Sequence, residues 1–263
     1  MARPLLQIVE ANTAGRDFVV GDIHGCFYLV EALLAHVEFD EKTDRLFSLG
    51  DLIDHGPESE RISEFLLQPW FHAIRGNHEW MLLRGAHTVE QAPLDMAAAQ
   101  QWLSNAGSWF FQMPIPDQEA VYFDISRLPV LLEIEDTEGT SHGLIHGDVI
   151  ADDWLVTRDS IQPTDPDPDF VQSLEHVLWS RERYGRLMSS DGGESNSIGV
   201  ANIDVVWFGH TPLPRPARSA NTRWLDTGAA KDGTLSIAEL ATDGQVWSIA
   251  EDCLTVTTGW SQR

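Results

Sequence analysis

Five short strings set a glycine beside a side chain that can bind a metal ion. They are G-D-I-H-G at 21–25, G-D-L-I-D-H-G-P at 50–57, R-G-N-H-E at 75–79, H-G-D at 146–148 and G-H-T-P at 209–212. Asp22, His24, Asp51, Asn77, His146 and His210 thus offer carboxylate, imidazole and amide donors and no thiolate. That set suits Mn, Fe, Zn or Mg better than a cysteine-bound structural zinc. Six donors are too many for one tetrahedral ion and fit two ions sharing a carboxylate. Such a pair, about 3.5–4 Å apart, clamps a phosphoryl group and makes hydroxide from a bridging water. Singly each string is weak; five in this order are a strong signal.

Each string closes an apolar run, so the positioning elements are strands. Phe18–Val20 is β-branched and aromatic, residues 27–37 carry Leu29, Leu33, Leu34 and Val37 at helical spacing, and Leu46–Leu49 is a second strand. Residues 58–67 read as a helix with Ile62, Phe65 and Leu66 on one face, Phe71–Ile74 as a third strand and 79–84 as helical. This βαβαβ rhythm predicts an α/β fold with a largely parallel sheet covered by helices. Ligands then collect beyond the carboxyl ends of the strands, where glycine permits the sharp turn. Helices are expected at 95–105 and 118–127. Further strands are expected at Pro129–Glu135, Gly143–Ile145, Val205–Phe208, Trp224–Asp226, Thr234–Leu240 and Gln245–Ala250. The runs at 163–169 and 189–197 read as loops. With no repeat or linker in view, 1–263 is expected to be a single domain, with a core at about 18–240 and a C-terminal strand extension at 241–263.

The composition bounds the rest. The 263 residues are 43% hydrophobic and 22% charged, which excludes a disordered, collagenous or coiled-coil chain. Seventeen Lys and Arg against 41 Asp and Glu leave a net charge of −24. So acidic a surface repels nucleic-acid phosphates and anionic membranes. A phosphorylated substrate therefore needs local positive charge, which two cations would supply. Cys26 and Cys253 form neither a disulfide framework nor a C-x-x-C pair. The first 20 residues lack a signal-peptide pattern and no apolar run spans a membrane, so a cytoplasmic protein is expected. His36, His72, His87, His142 and His176, the tryptophans and Cys26 read as surface or packing residues.

Together the strings resemble the phosphoprotein phosphatase branch of the metallophosphoesterases, in its bacteriophage lambda and bacterial protein serine/threonine phosphatase form. The similarity runs from about Phe18 to Leu240 and includes Q-W-L-S-N-A-G-S-W-F-F at 101–111, L-W-S-R-E-R at 178–183 and W-L-D-T-G-A at 224–229. It implies a central β-sandwich flanked by helices, with the active site at the carboxyl ends of the strands. It also implies two divalent metal ions, Mn²⁺ first and Fe or Zn as alternatives. The implied reaction is hydrolysis of a phosphate monoester on a protein or small molecule, with no nucleic-acid or membrane partner. By matching position, Asp22, His24 and Asp51 would hold one metal, and Asp51, Asn77, His146 and His210 the other. His78 would be the general acid, with Asp54 bonded to it, and Arg75 and Arg181 would grip phosphate oxygens.

One position departs from the pattern. After G-D-L-I-D the family carries a phosphate-contacting Arg, whereas this chain has His55. Imidazole is shorter and makes no bidentate contact. Phosphate binding is then expected to be weaker, to favour acidic pH, or to borrow Arg183 or Arg186. Symmetrical diadenosine tetraphosphatases share the G-D-x-H-G and G-N-H signals, but usually lack both the acid at 54 and the Arg before G-N-H. Asp54 and Arg75 therefore favour the protein phosphatase. A metal-binding module without chemistry is disfavoured because every donor and His78 remain.

Overall fold

Period-two alternation along short apolar strands decides the layers, because the central strands, such as those at Asp17–Val20 and Val205–Phe208, bury both of their faces. The computed structural model describes residues 5–86, 95–161, 168–189, 198–241, 244–252 and 254–262. In chain order, β1 (Leu6–Val9) and β2 (Asp17–Val20) precede α1 (Phe27–His36), β3 (Arg45–Ser48) and α2 (Ile62–Leu66). Next come β4 (Phe71–Ala73), α3 (Asn77–Gly85), α4 (Met96–Leu103), α5 (Ile115–Ser126), β5 (Leu131–Glu135) and β6 (Ser141–Ile145). Three helices follow, α6 (Trp154–Ser160), α7 (Pro168–Trp179) and α8 (Glu182–Ser189), then β7 (Val205–Phe208), β8 (Ala217–Ser219) and β9 (Thr222–Trp224). The chain ends with α9 (Ala229–Asp232), β10 (Thr234–Glu239), β11 (Val246–Ala250), β12 (Thr255–Thr258) and β13 (Ser261–Gln262).

These strands form two sheets rather than one. One runs β1-β5-β6-β7-β9-β8-β13 and the other β12-β11-β10-β2-β3-β4. Val19, Phe47, Leu132, Leu144, Val205 and Trp207 meet in the core between them. Their neighbours point the other way. Phe18, Val20 and Leu46 pack on α1, α2 and α5 through Phe27, Leu33, Phe65 and Ile125. Leu131, Ile145, Val206 and Phe208 pack under Trp154, Leu174, Val177 and Leu187 of α6, α7 and α8. The result is a four-layer α/β sandwich, helices on sheet on sheet on helices.

The parallel character expected of the sheet holds for β2-β3-β4 and for β6-β7-β9. It fails where β10 lies antiparallel to β2, and at the short chain returns β5-β6, β8-β9 and β10-β11-β12. Such short connections close a hairpin, whereas a parallel pair needs a crossover. The strand expected over Trp224–Asp226 already ends at Trp224, because Asp226 Oδ1 accepts the Gly228 N–H at 2.9 Å and bends the chain into a turn. The expected helix over 58–67 opens as a 3₁₀ turn at Ser59–Arg61. Of the two expected loops, 163–167 and 190–197 lie outside the described residues, as do His87 and Cys253, while Pro168, Asp169 and Ser189 belong to helices. No helix among the described residues is long and apolar enough to cross a membrane.

Candidate metal centre

The carboxyl ends of β2, β3, β4, β6 and β7 open onto one rim, and their loops pack backbone against backbone. The Ile23 and His24 N–H groups donate to Asp51 O, and Gly25 N–H donates to Leu52 O. This approach leaves no room for side chains. A Cβ on Gly76 would stand 2.2 Å from Asp51 Oδ1, and one on Gly209 would stand 2.3 Å from Asp22 Oδ1. Gly50 adopts a φ of +92°, which only glycine takes readily.

Two donor groups result, and they share Asp51. Asp22, His24 and Asp51 form one; Asp51, His146 and His210 form the other; within each, the ligand atoms lie within 4.8 Å of one another. Asn77 joins the second through its Oδ1, 2.8 Å from His146 Nε2. The tautomers are set from behind. His24 Nδ1 donates to Ile53 O at 2.9 Å and His146 Nδ1 to Leu49 O at 2.8 Å, leaving both Nε2 atoms facing Asp51. All six metal-type residues predicted by sequence therefore meet on one rim.

The electrostatics call for cations. Asp22 is pushed well above the ordinary carboxylate range by burial and by the charges of Asp226 and Asp51. Burial likewise raises Asp226 and Glu79, each to about 7. Burial works against ionised Asp51 too, but His146, His78 and His24 hold it well below its ordinary value. Burial lowers His24 to about 4 and His210 to about 3, so both imidazoles are neutral donors at neutral pH. Asp22 Oδ1 is buried with no hydrogen-bond partner. An orphaned carboxylate oxygen among neutral imidazoles fits a divalent cation.

Beside the two groups, His78 Nδ1 donates to Asp54 Oδ2 at 2.7 Å. Burial lowers the affinity of His78 for a proton, but the Asp51 charge and the Asp54 bond outweigh it and lift its pKa to about 9. Asp54, fully buried, also accepts the indole N–H of Trp102 at 3.0 Å and of Trp109 at 2.6 Å. Glu79 accepts the backbone N–H groups of Asp51, Leu52 and Gly76 at 2.8–2.9 Å, clamping the second loop to the start of α3. Sequence reasoning gave Glu79 and Asp226 no role and read Trp102 and Trp109 as packing residues. All four lie inside strings it singled out, R-G-N-H-E, Q-W-L-S-N-A-G-S-W-F-F and W-L-D-T-G-A, and that adjacency was the available signal.

The cationic side chains are distributed differently. Arg181 donates to His210 O at 3.1 Å. The buried Arg75 donates to Ser126 O and Leu128 O, and its Nε has no partner. His55 packs edge-on against His24 and His78, with ring centroids 5.1 Å from each. Arg183 and Arg186, expected as substitutes for a missing phosphate contact, are engaged elsewhere. Arg183 bonds Asp148 at 2.9 Å and Asp152 at 2.6 Å, and Arg186 bonds Asp152. A buried guanidinium needs such partners, so Arg183 is not free to turn to the rim.

A sequence profile of the calcineurin-like phosphoesterases matches residues 18–214. Serine/threonine-protein phosphatase 1 of Salmonella typhimurium is 37% identical over 245 residues, covering 91% of this chain and all of that protein. The symmetrical bis(5'-nucleosyl)-tetraphosphatase of Hamiltonella defensa is 41% identical over 69 residues, a quarter of each chain: 26% of this one and 25% of that one. Among solved structures, a cold-active protein-tyrosine phosphatase of Shewanella superposes with a TM-score of 0.57 at 16% identity. That superposition spans 98% of this chain and 83% of the other, a likeness of fold.

Proposed function

Because the chain belongs to the calcineurin-like phosphoesterases, a hydrolase family, we propose that it is a protein serine/threonine phosphatase that cleaves phosphate monoesters with two divalent cations, Mn²⁺ first. The observation that carries this reading is the single carboxylate of Asp51 common to two donor groups. Asp22, His24 and Asp51 would hold one cation, and Asp51, Asn77, His146 and His210 the other. When bound, such a pair polarises the phosphoryl group and provides a water acidic enough to attack at neutral pH.

The chain's own residues complete the reaction. His78, protonated at neutral pH, gives its Nε2 proton to the departing serine or threonine oxygen, because an alkoxide is a poor leaving group. Asp54 fixes the ring through Nδ1, and the two indole N–H groups fix Asp54. Arg181 and Arg75 bind the non-reacting phosphate oxygens. For Arg75 this requires the guanidinium to leave the carbonyls of Ser126 and Leu128. His55 adds one hydrogen bond at the mouth. Residues 1–263 act as one domain, since strands from both ends of the chain enter the two sheets. The acidic composition favours phosphoproteins or small phosphomonoesters over nucleic acid or membrane as partners.

The local match to a symmetrical tetraphosphatase supports a second reading, cleavage of diadenosine tetraphosphate. Phosphate release with Mn²⁺ from a phosphoserine peptide and para-nitrophenyl phosphate, measured beside ADP formation from the dinucleotide, separates the two. Release from the first two with the dinucleotide intact is expected. Preferential formation of ADP from the dinucleotide would replace the first reading by the second.

A further inference from the structure

His24, His55 and His78 bring three ring nitrogens within 4.8 Å of one another, in a group containing no carboxylate. The three rings stand edge to face, with centroids 4.7 Å apart for His24 and His78 and 5.1 Å for the other two pairs. Two of the imidazoles are already oriented as ligands. His24 donates from Nδ1 to Ile53 O and His78 from Nδ1 to Asp54, so each keeps Nε2 for a ligand. A ring N–H held by a carbonyl or carboxylate is the usual support behind a metal-binding histidine. His55 is exposed, which gives a cation a path from solvent and lets the ring turn to present a nitrogen. The loops bearing His24 and His55 are pinned together, Gly25 N–H to Leu52 O and Gly56 N–H to His24 O, both at 2.8 Å.

We propose that His24, His55 and His78 form a three-imidazole site for a late first-row divalent cation such as Zn²⁺, one that competes with the Asp22–His24–Asp51 group for His24. Neutral nitrogen donors favour Zn²⁺, Ni²⁺ or Cu²⁺ over Mn²⁺ or Mg²⁺, whereas the carboxylate-rich groups accept all of them. A cation bound there occupies His78 Nε2, the atom proposed to face the leaving oxygen. It also takes the one free nitrogen of His24 away from Asp22 and Asp51. The site is therefore inhibitory: it withdraws the proposed proton donor and dismantles one Asp51 group. It depends on the imidazole at position 55, where an Arg would place a fixed positive charge.

The test is a Zn²⁺ titration of the full chain, followed by ¹H–¹⁵N correlation spectra of its ten imidazoles. The expected result is one concerted step in which Nε2 of His24 and His78 and a ring nitrogen of His55 all shift to metal-bound positions. His146 and His210 should move in a separate step. In His55→Asn the concerted step should weaken at least about tenfold in Zn²⁺ affinity, while the His146 and His210 step persists and reports an intact rim. Asparagine suits the φ of +66° at this position, so the variant is expected to fold. A His55 signal that stays still at every Zn²⁺ concentration would overturn the proposal, as would an unchanged concerted step in His55→Asn. No turnover is measured, so the outcome is separate from that of the phosphatase reading.

Discussion

Asp54 accepts three N–H groups, from His78, Trp102 and Trp109, in a pocket closed to solvent. After the larger effect of the Asp51 charge, the hydrogen bond and charge of Asp54 keep a proton on His78. A general acid works only while protonated. A pKa raised to about 9 therefore sustains activity through neutral pH and lets it fall as pH rises through about 9. Asp54→Asn removes the charge, so the alkaline loss of kcat should move to lower pH. An unmoved limb in the kcat–pH profile would show that Asp54 does not govern His78. His78→Asn should lower kcat by about 10²–10⁴ without needing any pH change. Near-wild-type turnover would mean that another group protonates the leaving oxygen. Trp102 and Trp109 extend their expected role as packing residues, for Trp102 is fully buried and still spends its N–H on Asp54.

The short helix α3 carries more of the rim than its length suggests. It opens at Asn77, sets His78 beside Asp51, and at its third position places Glu79 under three backbone N–H groups. Glu79→Gln turns an amide NH₂ toward at least one of those donors. Leaving a buried N–H unpaired costs about 1–3 kcal/mol, so the urea midpoint should fall accordingly; an unchanged midpoint would deny the clamp. The βαβαβ half of the fold was legible because its strands are short, largely apolar runs leading into glycine, as Phe18–Val20 and Leu46–Leu49 show. Elsewhere the signal fades for physical reasons. β8 and β9 span three residues each, too few for a period to register. α7 carries Phe170, Leu174, Val177 and Leu178 at helical spacing but opens inside an acidic, proline-rich run that reads as turn. The donors of the rim could be read because each sits in a local string. Trp102 and Trp109 lie 48 and 55 residues from Asp54, and no local pattern joins them.

The two sheets meet where the cations would sit. β2, β3 and β4 of one sheet bring Asp22, His24, Asp51 and Asn77, while β6 and β7 of the other bring His146 and His210. Cations held there would join both halves of the sandwich and would place positive charge, on a chain of net charge −24, where an anionic substrate needs it. Asp51 is the one residue on which both groups depend. The decisive measurement is Mn²⁺-dependent phosphate release from a phosphoserine peptide by Asp51→Asn against the unaltered chain, with folding matched by circular dichroism. Release by the unaltered chain that chelation abolishes, together with a variant no faster than the chelated chain, is the predicted result. A folded Asp51→Asn protein that still releases phosphate at the unaltered rate would contradict a reaction built on the Asp51 pair.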